Sequence, residues 1–128
     1  MSRVVLDASA LMALLNQEPG AERLSADLLA ESVASTVNLA EVQSKLVGHG
    51  IPPYNAWTAT LSAVNEAVMF SNEHASVTGA LIAETRALGL SLGDRACLAL
   101  ALELKAPVYT ADRSWRNLKL GIRIHVIR

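Results

Sequence analysis

The stretch Val4-Val5-Leu6-Asp7-Ala8-Ser9 decides how the rest of the chain is read. Three consecutive apolar residues describe a strand buried on both faces, the kind found inside a parallel sheet. Asp7 stands where the apolar run stops, Ser9 follows two residues on, and residues 10–16 read as a helix directly behind. In open α/β sheets ligands collect outside the carboxyl ends of the strands, so a carboxylate there is placed for a cation or a phosphate-bound metal. The plain alternative is that Asp7 or Ser9 caps the helix that follows. Further acids in equivalent places would favour the ligand site.

Beyond the break Glu18-Pro19-Gly20, residues 21–30 read as a second helix with Leu24, Leu28 and Leu29 inward. Residues 32–35 form a short strand, and Ser35 or Thr36 caps a helix reaching about Val47, closed by Gly48 and Gly50. Pro52-Pro53 restarts the chain into a helix over 54–65 with Trp57, Leu61 and Val64 on one face. A second apolar strand spans 67–70, and 73–88 is helical, with Val77, Leu81, Ile82 and Leu88 near helical period. Ser91 opens another helix through Lys105, and strands follow at 107–110 and 122–126. Strands separated by helices require crossover connections and a mostly parallel sheet covered on both faces. The expectation is a three-layer α/β/α fold, one domain over residues 1–128, with Asp7 and Asp112 on the same rim of the sheet.

Composition narrows the class. Apolar residues make up 52% of the chain, yet no run approaches the length of a membrane span, and no basic leader precedes a long apolar stretch. An intracellular, cytoplasmic protein is expected, with Cys97 a core residue among Ala and Leu. A mean hydropathy of +0.31 is high for a monomer this small, which anticipates a partner covering part of the surface. The formal charge of −1 hides an asymmetry. After Asp112 the chain carries Arg113, Arg116, Lys119, Arg123 and Arg128 and no acid, which reads either as an ordinary solvated surface or as a basic rim for a polyanion.

The remaining acids repeat the ambiguity of Asp7. Asp94 is spaced from Ser91 as in a capping box, yet it heads an apolar stripe of Cys97, Leu98 and Ala101. Burial of that kind penalises an ionised carboxylate unless something offsets its charge. Gly93 beside it weakens the helix by about 1 kcal/mol, an odd choice unless backbone must approach something closely. Glu41 lies roughly opposite Leu39, Val42 and Leu46 and four residues before Lys45, so periodicity alone makes it an exposed, salt-bridging residue. Asp112 follows Thr110-Ala111 just past a strand, where a turn-forming role is the alternative to a functional one. Carboxylates gathered in a low-dielectric cleft repel strongly and call for a hard divalent cation, Mg²⁺ or Mn²⁺. No Cys or His spacing suits zinc, and His49, His74 and His125 read as surface or edge residues.

Four short motifs carry a family likeness. They are Val5-Leu6-Asp7-Ala8-Ser9, Ser35-Thr36-Val37-Asn38-Leu39-Ala40-Glu41, Leu90-Ser91-Leu92-Gly93-Asp94 and Tyr109-Thr110-Ala111-Asp112. The set resembles the PIN-domain ribonucleases and, within them, the VapC-type toxins of bacterial and archaeal toxin–antitoxin pairs. The resemblance makes Asp7, Glu41, Asp94 and Asp112 the acidic site, with Asp7, Asp94 and Asp112 as metal ligands and Ser9 and Thr110 as supporting hydroxyls. It overrides the periodicity reading of Glu41. It implies an endoribonuclease dependent on Mg²⁺ or Mn²⁺, an RNA substrate, a homodimer and a small cognate antitoxin. Around so acidic a centre RNA needs cations, and Arg95, Arg113 and Arg116 are nearest in sequence.

Rival readings fare less well. A phospho-acceptor signalling domain wants paired acids after the first strand and an acceptor Asp on a middle strand, but Asp7 is followed by Ala8-Ser9 and the middle strand ends in Phe70-Ser71. An Asp-x-Asp phosphatase fails because position 9 is Ser. A PIN-like domain that only binds RNA or a partner stays open.

Overall fold

The computed structural model describes residues 2–128. Strands β1 (Val4–Leu6), β2 (Ser32–Ser35), β3 (Glu66–Val68), β4 (Val108–Thr110) and β5 (Ile124–Val126) form one sheet in the order β3-β2-β1-β4-β5. Every pairing is parallel. β1 sits at the centre, with Val5 in register with Val33 of β2 and Val108 of β4. Its unbroken apolar run therefore meets side chains above and below the sheet. β3, at one edge, is largely exposed, so the strand expected at 67–70 is shorter and less apolar in its surroundings than its sequence implies.

Helices α1 (Ala8–Asn16), α2 (Ala26–Leu29), α3 (Thr36–Gly48), α4 (Pro53–Ser62), α5 (Asn72–Ala80), α6 (Ile82–Thr85) and α7 (Leu92–Leu104) cover the two faces. Alternation along the strands divides the core. Leu6 and Ala34 pack with Leu11 of α1 and with Leu39 and Val42 of α3. Val5, Val33 and Val108 pack with Leu98 and Leu100 of α7 and with Trp115. Each of these leucines is fully buried, worth roughly 1.5–3 kcal/mol apiece. The result is the expected α/β/α sandwich.

Several local expectations give way. The helix over 21–30 is interrupted: a 3₁₀ turn at Ala21–Arg23 ends before Ser25, whose hydroxyl accepts from Leu28 N and starts α2 afresh. Leu24 is buried as expected, but Leu28 and Leu29 are only partly so. The helix over 73–88 breaks into α5, α6 and a 3₁₀ turn at Arg86–Leu88, and Val77 and Ile82 point outward while Leu81 is buried. In α4 the buried face is Ala56 and Thr60, small residues that allow close approach; Trp57 is half-buried, and Leu61 and Tyr54 face out. His74 is not a surface residue. It is buried, closes a capping box with Ser71, and lies 2.9 Å through Nε2 from Glu103 Oε1 of α7. His49 and His125 are exposed, as expected.

The last strand is tied back to the start of the chain. Gly20 has φ +100, and a Cβ there would lie 2.6 Å from the carbonyl oxygen of Ile127. Arg128 Nη1 donates to Glu18 Oε1 at 2.9 Å, and that guanidinium holds the Glu18 carboxyl below its ordinary range. Among the described residues no helix is long and apolar enough to cross a membrane.

Candidate active site

β1 and β4 end side by side, and Asp7 N–H donates to Tyr109 O at 3.2 Å. This brings Asp7, Ser9 and Thr110 together although Thr110 is 103 residues from Asp7. Asp7 Oδ1 accepts from Ala10 N at 2.8 Å, so the capping role anticipated from sequence is real. It is not the whole role. Thr110 Oγ1 donates to Asp7 Oδ2 at 2.6 Å, and Ser9 Oγ lies 2.8 and 2.9 Å from the two carboxylate oxygens. Each hydroxyl is itself oriented by a backbone N–H, Ser9 Oγ accepting from Ala111 N at 2.8 Å and Thr110 Oγ1 from Asp112 N at 3.0 Å. Both hydroxyl protons are thereby directed at one carboxylate.

Asp7 is only 2% exposed. Burial pushes its carboxyl up from 3.8 to about 6; the bonds from Thr110, Ala10 and Ser9 pull against that rise, and the charge of Asp94 adds to it. Cys97 of α7 is fully buried, and its thiol is pushed well up by burial and then by the charges of Asp7, Asp94 and Glu41. Three of the four acids therefore act on one buried atom.

Asp94 is half-buried at the head of α7, where Ser91 N donates to its Oδ2 at 2.9 Å and its own N–H donates to Ser91 Oγ at 3.1 Å. Glu41 does not behave as periodicity predicts. It is half-buried, its Oε1 accepts from Asn38 Nδ2 at 2.8 Å, and no ion pair with Lys45 occurs among the described residues. Its carboxylate lies directly over Gly93: a Cβ on that glycine would be 2.5 Å from Glu41 Oε2. This is the close approach that the glycine in α7 implied. Asp112 is exposed and caps the 3₁₀ turn Arg113–Asn117, its Oδ1 accepting from Ser114 N and Oγ.

Among the described residues no three His, Cys, Asp or Glu side chains form a ready-made metal cage. The donor chemistry nevertheless fits a hard divalent cation. The acids offer only oxygen, and Glu41 Oε2, Asp94 Oδ1 and Asp112 Oδ2 each accept no hydrogen bond among the described residues. The lining glycine leaves room that a side chain would fill.

The three arginines differ. Arg95 is half-buried and turned toward α5, Nη1 donating to Thr78 O at 2.9 Å, so it caps the end of that helix. Arg113 is exposed with Nε on Arg128 O at 3.0 Å, and Arg116 is exposed with no partner among the described residues. Sequence reading missed Asn38. Its signal was a polar side chain one helical turn before Glu41, in line with it on the helix surface.

A model of the PIN domain family matches residues 4–120. No curated protein matches the chain. Among solved structures it is similar to the DNA-bound VapBC of Salmonella typhimurium, with 18% identity, all of both chains covered and a TM-score of 0.77. It is also similar to Mycobacterium tuberculosis VapC20, described as a sarcin-ricin loop cleaving toxin, with 17% identity over 94% of this chain and 98% of that one, TM-score 0.73. VapBC2 from Rickettsia felis, bound to a DNA fragment from its promoter, shows 21% identity over 98% of each chain, TM-score 0.69.

Proposed function

The chain belongs to the PIN-domain family, and from that premise we propose that it is a metal-dependent endoribonuclease, the toxin of a VapC-type pair. The observation that carries the reading is Asp7: a buried carboxylate at the sheet's rim, with two hydroxyls aimed at it and its ionisation made costly by burial. A cation that offsets that charge resolves the cost. Asp7, Asp94 and Asp112 would hold the cation, and Glu41 would act through water or orient the nucleophile. Bound Mg²⁺ or Mn²⁺ supplies Lewis-acid stabilisation of the phosphate and a water of lowered pKa.

The chain's own residues do the rest. Ser9 and Thr110 keep the Asp7 carboxylate oriented, and Asp112 is held beside Thr110 by its own backbone bond. In-line attack by water leaves a 5′-phosphate and a 3′-hydroxyl. Arg113 and Arg116 lie next to Asp112 and are the first choices for the RNA backbone; Arg95, committed to α5, is a weaker one. A small antitoxin and a second copy of the chain are the proposed partners, a reading supported by the VapBC complexes among the similar structures and by outward Tyr54, Met69 and Leu92, which are 80%, 79% and 61% exposed.

A PIN domain that only binds RNA or protein is the second reading. Purified chain incubated with RNA and Mn²⁺ or Mg²⁺, followed by sequencing of the RNA ends, separates the two. Discrete 5′-phosphate ends that vanish with chelator support the nuclease; intact RNA at all metal concentrations overturns it.

A further inference from the structure

We propose that Asn38 is a positioning residue which, with the missing side chain of Gly93, locks the Glu41 carboxylate of α3 against the first turn of α7. This rests on the nuclease reading above.

The geometry is specific. Asn38 is 1% exposed, and its Nδ2 donates both to Glu41 Oε1 at 2.8 Å and to Gly93 O at 2.9 Å. Two acceptors facing one nitrogen fix which way the amide points, since a flipped amide would set oxygen against oxygen. The other amide atom, Oδ1, is buried with no partner. An unsatisfied buried acceptor is costly, and an apolar residue at position 38 would avoid it. Local choices that cost stability mark positions held for another purpose.

Gly93 supplies the matching space. It is buried, and it is not among the residues with positive φ, so its backbone conformation does not call for glycine. Glycine also disfavours the helix it sits in. What calls for it is the carboxylate, whose Cδ and Oε2 would each be 2.5 Å from a Cβ. Without this lock, a long side chain next to the charge of Asp94 would swing toward water. With it, one amide sets the spacing between the acid of α3 and the acid of α7.

The test uses the full chain and Mn²⁺ itself, with affinity read from the paramagnetic resonance of free Mn²⁺. Gly93→Ala and Asn38→Ala should each lower Mn²⁺ affinity about 10-fold, the size expected for loss of an orienting partner. In a Glu41→Ala background the same two changes should add less than about twofold, because they act through Glu41. Thermal melts give a second, metal-free readout. Gly93→Ala should leave the wild-type Tm within about 3 °C, since the displaced group is a flexible side-chain end, and should raise the Tm in the Glu41→Ala background by about 2–4 °C. If Asn38→Ala fails to fold, Gly93→Ala carries the test alone. Full-sized losses of affinity in the Glu41→Ala background, or no loss in the wild-type background, overturn the positioning role while leaving the nuclease reading intact. A wild-type chain that binds no Mn²⁺ overturns that reading, and this one with it.

Discussion

At the floor of the site, where β1 and β4 end, Asp7 is buried and both its oxygens accept bonds from hydroxyls and a backbone N–H. At the wall, where α3 meets α7, Glu41 and Asp94 are half-buried and each has one oxygen bound. The floor is built from neighbouring strand ends in fixed register, so its carboxylate cannot relax away from its desolvation. The wall is built from two helices joined through one amide, and its charges keep contact with water. Burial is what turns an end-of-strand acid into a group whose protonation is set by the fold. Asp112, also at a strand end, stays exposed and spends only Oδ1 on capping the turn that follows.

The most severe way to break this contrast is Asp7→Asn. Cleavage should fall by at least about a thousandfold, roughly 4 kcal/mol of transition-state stabilisation. Without metal, the same change should raise the Tm at pH 7.5. The sign follows from the shift: the Asp7 carboxyl is near 3.8 when unfolded and about 6 when folded, so above pH 6 folding forces an unwelcome charge into the core. That penalty is up to roughly 3 kcal/mol before lost bonds are subtracted, and it disappears below pH 4. Wild type should therefore gain stability between pH 6 and 4 where the variant does not. Cleavage at the wild-type rate would remove Asp7 from the chemistry.

Thr110→Val cuts deeper into the floor than Ser9→Ala, because Thr110 supplies the strongest bond opposing Asp7 protonation. It should cost about 1–3 kcal/mol of stability and leave Asp112 N without its acceptor. Mn²⁺ affinity should drop about 10-fold. Equal losses for the two hydroxyls would mean that Ser9 and Thr110 hold the carboxylate alike, and negligible losses for both would leave Ala10 N alone.

Acid itself is a gentler probe. Mn²⁺ affinity should hold above pH 6 and then fall by about tenfold per pH unit as a proton competes for Asp7. In Thr110→Val the fall should begin at a higher pH. A flat profile from pH 7.5 to 5 would place the cation on the wall acids only.

The smallest effect is expected outside both regions. Arg113→Ala with Arg116→Ala should weaken binding of uncleavable RNA to an Asp94→Asn chain, with the salt slope shallower by roughly one unit per lost phosphate contact. Cleavage position should not change, since backbone contacts carry no base identity. Arg116, free of the bond that engages Arg113 Nε, should account for most of the change. Identical slopes would move the RNA track toward Lys45 and Arg86.

How far the chain was legible follows the same division. Apolar runs ending near Asp7 and Asp112, and a Ser-initiated late helix, announced a mostly parallel sheet with both acids on one rim, because strand ends and caps are written in neighbouring residues. Ser9 and Thr110 entered as partners of Asp7 only through the family resemblance. Glu41 was misjudged by periodicity because the Asn38 amide that holds its Oε1 is itself anchored on the Gly93 carbonyl, 55 residues from Asn38, and no local pattern shows that α7 packs there. The helix break at Ser25 was hidden because Leu24, Leu28 and Leu29 continue at helical spacing across it, while the Ser25 hydroxyl decides where the backbone restarts. His74 was hidden too, since its burial depends on α7 packing against α5, with Glu103 alongside.

The 103 residues between Asp7 and Thr110 also have a meaning in time. Ribosomes add about 5–20 residues per second, so Thr110 is joined to the chain roughly 5–20 seconds after Asp7. Through that interval Asp7 has only Ser9 and Ala10 as partners, and β1 lacks the neighbour on one of its sides. Whatever chemistry the floor performs is withheld from the growing polypeptide until its late strand arrives.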